Sequence, residues 1–259
     1  MDATAVPAAS PAANVELIEG GRRMFGWLRR FHDHSIEGVE HLPRTGGALL
    51  VFNHSLATYD TFMLATALYE QTGRLATGLG DDLIFRMPWL KRLAREAGIM
   101  PASPDNGLQM LRDGHLVGVA PGGMREALRP SSERYRVRWD RRRGFIRLAI
   151  RAGAPLVLAA CPAADDMFTV YENRLTKVAY IRWRVPVPLI RGWGPTLVPR
   201  PVELVHYLAP PIWPPEYDEL RFEQQVDALH AEVVGQMERM LRGQGGRPYA
   251  PALRPPADG

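Results

Sequence analysis

Apolar positions along this chain switch repeatedly between strand-like runs and helical spacing. Short apolar runs bounded by turn residues predict strands over Gly47–Asn53, Leu75–Gly80, Gly98–Ala102, Leu116–Ala120 and Pro155–Cys161, and Val202–Leu208 alternates like an edge strand. Between them, Thr61–Glu70, Trp89–Ala97 and Asp105–Arg112 read as helices. Gly144–Ala152 places Phe145, Leu148, Ala149 and Ala152 at helical spacing, and Phe222, Val226, Leu229, Val233, Met237 and Leu241 mark a long final helix. Strands alternating with helices predict an α/β layered fold with a largely parallel central sheet flanked by helices. In such sheets chemistry gathers at the carboxyl ends of the strands. That rule points to Asn53–Asp60 and Pro121–Glu126.

The ends read differently. A helix is expected over Val15–His32, so residues 15–33 form an N-terminal amphipathic segment. Leu17, Met24, Phe25, Leu28 and Phe31 fall near one side, and Arg22, Arg23, Arg29 and Arg30 crowd another. This pattern suits a helix lying in a lipid interface, or a helix packed on the domain with a solvated basic face. Gly20, Gly21 and Gly26 weaken it. Residues 1–14 and 243–259 are rich in Ala, Pro and Gly without periodic apolar positions, and are expected to be disordered tails. Residues 34–242 are then the body of a single domain.

Composition narrows this picture only a little. The 259 residues carry a formal net charge of +4, and Lys91 and Lys177 are the sole lysines among the 32 basic residues. A basic excess favours anionic partners without choosing among them. Cys161 is the single cysteine, which rules out an internal disulfide and a cysteine-rich metal site and suits a reducing cytosol. Residues 1–14 show no signal-peptide pattern, and no apolar run approaches the roughly 18 residues of a membrane span. The expectation is a cytoplasmic protein, peripheral on the inner face of a membrane.

Asn53 to Asp60 follows a buried-looking strand and opens a helix. A histidine at a strand end can face a cleft, and an aspartate at a helix start is stabilised by exposed N–H groups. If the turn folds back, the carboxylate takes a proton from one imidazole nitrogen and leaves the other as a general base for an alcohol. A helix-capping aspartate beside an incidental exposed histidine has the same spacing, so spacing alone leaves both readings open.

Further motifs accompany the pair. The His54–Asp60 turn and Ala120–Leu128, with its Pro121-Gly122-Gly123-Met124-Arg125-Glu126 segment, resemble the PlsC-like glycerolipid (lysophospholipid) acyltransferase family. They are most similar to its diacylglycerol-acyltransferase-type branch. Gly98-Ile99-Met100-Pro101 resembles the family's second block. Arg143-Gly144-Phe145 with Gly153-Ala154-Pro155-Leu156-Val157 resembles its fourth, and the blocks run in order from about Gly38 to Ile212. The resemblance implies a glycerol-3-phosphate-acyltransferase-like layered fold. It also implies direct acyl transfer with no cofactor, the acyl thioester (acyl-CoA or acyl carrier protein) being a co-substrate. His54, oriented by Asp60, is then the catalytic base, and Gly122, Gly123, Arg125, Glu126, Ser103 and Arg143 form the substrate-binding set. Backbone N–H groups around Gly122–Gly123 are candidate oxyanion donors.

Three departures from the family pattern stand out, and two of them bear on the acceptor. Five residues separate His54 from Asp60 where the commonest family pattern has four, a feature shared with the resembled branch. Gly122 stands where the third block carries Glu, and Ser103 where the second often carries Arg. That dilution of a phosphate-holding pattern favours a neutral acceptor, mono- or diacylglycerol, although Arg125 remains able to hold a phosphate or to pair with an acid such as Glu126. The alternatives are a lysophosphatidic-acid or other lysophospholipid acyltransferase, and a non-catalytic lipid-binding protein of the same fold.

Arg134, Arg136, Arg138, Arg141, Arg142 and Arg143 are interleaved with Tyr135 and Trp139. Such a run suits coenzyme A phosphates, anionic lipid or a solvated loop. No nucleic-acid motif accompanies it, so no nucleic-acid partner is expected. Trp183, Trp193 and Trp213 read as core, acyl-channel or interface residues. His32, His34 and His41 are spaced too irregularly for a metal site, and none is expected. His115 and His206 sit in apolar strand contexts. Gly-x-Ser-x-Gly and the P-loop are absent.

Overall fold

The computed structural model describes residues 15–86, 88–172 and 188–243. The tails expected to be disordered and Trp183 lie outside the described residues, apart from Gly243. In chain order the elements are α1 (Val15–Phe31), β1 (Ser35–Glu37), β2 (Ala48–Phe52), α2 (Tyr59–Thr72), β3 (Ala76–Gly80), α3 (Asp82–Arg86), α4 (Pro88–Glu96), β4 (Ile99–Pro101) and α5 (Pro104–Arg112). There follow β5 (Leu116–Val119), α6 (Gly123–Ala127), α7 (Gly144–Ala152), β6 (Leu156–Ala160), β7 (Thr169–Val170), β8 (Ile190–Arg191), β9 (Val205–Leu208) and α8 (Phe222–Arg242).

Seven strands form one sheet in the order β1-β9-β6-β2-β5-β3-β4. β2 through β6 run parallel, and β9 runs antiparallel to β6. The largely parallel layered fold expected from the alternation is therefore present. One detail differs. Val205–Leu208 is not at the edge, because β1, too short to register as an apolar run, pairs outside it. The alternation in β9 reflects unequal burial of its two faces, His206 and Leu208 being buried and Val205 and Tyr207 only partly so.

Successive side chains of a strand point to opposite faces. Leu49 and Val51 of β2, with Leu156 and Leu158 of β6, enter a core shared with α5, α7 and α8. Ala48, Leu50, Val157 and Ala159 face the other way, against Leu64 and Leu68 of α2. Because β6, β2 and β5 are neighbours and parallel, the loops leaving their carboxyl ends meet at the middle of one sheet edge. Helix α1 packs on α2 by stacking Phe25 on Phe62 at 5.5 Å and pairing Arg29 with Glu70 at 2.6 Å. It still leaves Met24 and Trp27 exposed. No helix among the described residues is long and apolar enough to cross a membrane.

Candidate active site

The loop after β2 is fastened from both sides. Asn53 is buried, its side-chain amide donating to the Cys161 carbonyl while its oxygen accepts from the Cys161 N–H at 2.9 Å. This reciprocal pair locks the ends of β2 and β6 together. The next residue, His54, has its N–H held by Glu126 Oε2 at 3.2 Å and its carbonyl held by Arg129 Nη1 at 3.0 Å. Arg129 in turn makes a two-pronged contact with the Asp165 carboxylate, in the turn after β6. Two neighbouring segments, after β5 and after β6, thus fix the backbone of His54.

The histidine side chain is held differently from the expectation. Nδ1–H donates to the Ser55 carbonyl at 2.8 Å, and Asp60 accepts instead from the Ser55 hydroxyl at 2.9 Å. The direct His54–Asp60 hydrogen bond is not made; Ser55 stands between them. Asp60 is the second residue of α2, fully buried, and burial pushes its carboxyl up to about 6. Thr58 caps α2 with a positive φ of 58°, a costly backbone for a β-branched residue. Burial, with the Arg129 charge, holds the His54 imidazolium below its usual range, so the ring is neutral near pH 7. Its Nε2 has no partner among the described residues.

Ser55→Ala leaves the buried Asp60 one donor short. We expect a loss of about 1–3 kcal/mol in denaturant unfolding.

The segment after β5 carries the second surprise. Glu126 is completely buried. Besides the His54 N–H, it accepts from the Arg138 N–H at 3.3 Å and Trp139 Nε1 at 3.2 Å. Arg129 lies 3.8 Å away, yet burial outweighs these partners and pushes the carboxyl up to about 7. Glu126 therefore supports the His54 turn and offers no open face to a substrate. A Cβ on Gly122 would lie 2.3 Å from Glu126 Oε2, so the missing side chain there makes room for the Glu126 carboxylate, not for a ligand. Gly123 has a positive φ of 52° and open space beside it. Its N–H closes a turn on the Ala120 carbonyl at 3.0 Å, leaving the Gly122 N–H as the oxyanion donor to consider.

Arg125 is exposed and unpaired among the described residues. Ser103 instead caps α5, its hydroxyl accepting from the Asn106 N–H at 3.1 Å. Arg143 pairs with Asp227 of α8 at 2.7 Å, tying two helices together. Within the arginine run, Arg134 pairs with Asp166 and Arg138 with Glu133, while Arg136, Arg141 and Arg142 are exposed without an ion pair among the described residues. Trp139 is core, among the largest fully buried side chains. Trp193 and Trp213 are exposed, against the core reading.

Asn53, Ser55, Arg129 and Asp165 escaped the sequence reading. For Asn53, Ser55 and Arg129 the one signal was proximity to the two motif segments; Asp165, 36 residues beyond Arg129, had none. His206 lies buried with Nε2 4.0 Å from Asp60 Oδ2 and Nδ1 2.9 Å from His34 Nε2. His32 bonds to the Val202 carbonyl and Tyr59 hydroxyl, and His41 to the Leu208 carbonyl.

Comparison with known proteins places this geometry in context. The family model described as Acyltransferase matches residues 33–161. A human protein named "DGAT1/2-independent enzyme synthesizing storage lipids" is 30% identical over 184 residues, covering 70% of this chain and 54% of its own length. The chicken protein of that name is 30% identical over 171 residues, 66% of this chain and 51% of its own. This chain thus spans about half the length of those relatives. An uncharacterized Mycobacterium tuberculosis protein is 27% identical over 248 residues, 90% of this chain and 68% of its own. The crystal structure of the 1-acyl-sn-glycerophosphate (LPA) acyltransferase PlsC from Thermotoga maritima superposes with a TM-score of 0.47 at 17% identity, covering 90% of this chain and 80% of that one. The stretch that matches the Acyltransferase model, residues 33–161, holds the His54 turn and the Pro121–Glu126 segment together.

Proposed function

We propose that this protein transfers an acyl group from an acyl thioester, carried on coenzyme A or acyl carrier protein, to the hydroxyl of a neutral glycerolipid such as mono- or diacylglycerol. The observation that carries this reading is the state of His54. It is a neutral imidazole with Nδ1–H committed to the Ser55 carbonyl and Nε2 free. In the reaction, Nε2 takes the acceptor's hydroxyl proton as its oxygen attacks the thioester carbonyl carbon. The tetrahedral oxyanion is met by backbone N–H, for which Gly122 is the candidate. The C–S bond then breaks, and the leaving thiolate takes the proton back from His54, giving an ester and a free thiol. Asp60 acts as a positioning residue through Ser55. The work is done at the cytoplasmic surface of a membrane, with the exposed Met24 and Trp27 of α1 as one apolar contact.

The neutral acceptor is favoured because Ser103 is used as a helix cap and Arg143 as an interhelix pair. The free Arg125 favours a second reading, a lysophosphatidic-acid or other lysophospholipid acceptor. Competition among monoacylglycerol, diacylglycerol and their phosphorylated counterparts in vesicles, with labelled acyl thioester, separates the two. Preference for the phosphorylated acceptors overturns the neutral version.

The pH profile follows from the base. Protonation of Nε2 abolishes its function, and the His54 pKa lies below its usual 6.5. The His54 limb should therefore lie on the acid side of 6.5, where the base takes up its proton. An acid limb centred above that value that persists in Glu126→Gln, which removes the nearby carboxyl pushed up to about 7, contradicts the assignment.

A further inference from the structure

The segment joining β8 to Val202 has an unusual polarity. Leu189, Trp193, Leu197 and Val198 are 56%, 51%, 69% and 49% exposed, clustered within ten residues of sequence. The backbone of the same loop is turned inward on itself. Gly192 N–H donates to the Thr196 carbonyl at 2.7 Å, Trp193 N–H to the Val198 carbonyl at 2.7 Å and Thr196 N–H to the Trp193 carbonyl at 3.2 Å. Val198 N–H donates to Thr196 Oγ1 at 3.1 Å, and that hydroxyl donates to the Trp193 carbonyl at 2.7 Å. Pro195 and Pro199 have no N–H to satisfy. Two glycines make the closure possible. A Cβ on Gly192 would lie 1.9 Å from the Val198 carbonyl oxygen, and Gly194 has a φ of 58°.

A loop facing water gains nothing by displaying a tryptophan, two leucines and a valine, and the N–H groups of Gly192, Trp193, Thr196 and Val198 are already satisfied within it. In a bilayer the balance reverses, because unsatisfied backbone groups are costly there and apolar side chains are favoured. Tryptophan suits the boundary between head groups and acyl chains. The charge fits too. Residues 188–202 contain no acid, and Arg191 is exposed and unpaired among the described residues. The loop is also fastened beside the candidate active site. Arg200 donates to the Asp166 and Met167 carbonyls, in the turn whose Asp165 holds Arg129 and so His54.

We propose that the Gly192–Val198 loop, with Leu189, inserts into an anionic lipid bilayer and is a membrane contact separate from α1. This rests on the reading that the protein works at a lipid surface, and the following experiment separates the two. In the full chain, Leu197→Cys carries a polarity-sensitive fluorophore, with Glu232→Cys on α8 as the control; the native Cys161 is fully buried and does not compete for label. The probe is phosphatidylcholine vesicles with and without phosphatidylglycerol.

The expected result is a blue-shifted, several-fold brighter signal at position 197 on phosphatidylglycerol-containing vesicles and no change at 232. Unlabelled Leu197→Asp should partition at least about tenfold more weakly. If the protein sediments with vesicles while the label at 197 stays in water, the loop proposal is overturned and the membrane reading survives. Failure of the full chain to sediment overturns both. A response that tracks protein concentration without vesicles assigns the loop to a second copy of the chain and also overturns the proposal.

Discussion

His54→Ala should lower the turnover of acyl transfer by about 10²–10⁴-fold, the usual contribution of a positioned general base, while the protein stays folded. The separation of the two effects follows from the geometry. The backbone of residue 54 is held by Glu126 and Arg129, and both contacts survive in alanine. The side chain contributes one intramolecular hydrogen bond, to the Ser55 carbonyl. The check is labelled acyl-CoA with a panel of lipid acceptors, wild type beside variant, together with their unfolding transitions. Turnover unchanged in a folded variant would sink the catalytic assignment and leave a lipid-binding protein of this fold.

Arg129→Ala is expected to have the largest effect on stability. The guanidinium is almost fully buried and satisfies the carboxylate of Asp165, the His54 carbonyl and the Glu126 carbonyl. Its removal leaves the buried Asp165 carboxylate without its cation, the kind of change that costs about 3–5 kcal/mol. For a chain of this size that corresponds to a drop in melting temperature on the order of 10 °C. Arg129→Lys should recover part of this, since it restores charge but not the fork that meets both Asp165 oxygens and the carbonyls. Thermal unfolding of the three proteins measures the series. Equal stability of wild type and Arg129→Ala contradicts the role given to this residue.

Much of the framework was legible in the chain. Gly47–Asn53, Pro155–Cys161 and Gly144–Ala152 lie within a residue or two of β2, β6 and α7, because continuous apolar runs and helical spacing report burial directly. β1 was not legible, since three residues carry no period. The two segments at the carboxyl ends of β2 and β5 also follow from the strand pattern and the rule for parallel sheets. The roles inside those segments are another matter. Arg143 and Ser103 sit in motif positions, yet one is drawn to Asp227, 84 residues away, and the other is used by its own helix. A motif gives a residue's type and place, while its neighbours decide whether its polar atoms are free.

By itself, then, the sequence determined the order of the longer strands and helices, the parallel α/β class and the location of His54 and Asp60 at a strand end and a helix start. Those properties depend on local periodicity and backbone preference. The tertiary structure alone decided that Ser55 stands between His54 and Asp60, that Glu126 fills the space left by Gly122, and that Arg129 joins the turn to Asp165. The reason is that a buried polar group takes the donors that the fold brings within reach. The donors here come from loops 72 and 36 residues apart in the chain, a distance no local pattern spans.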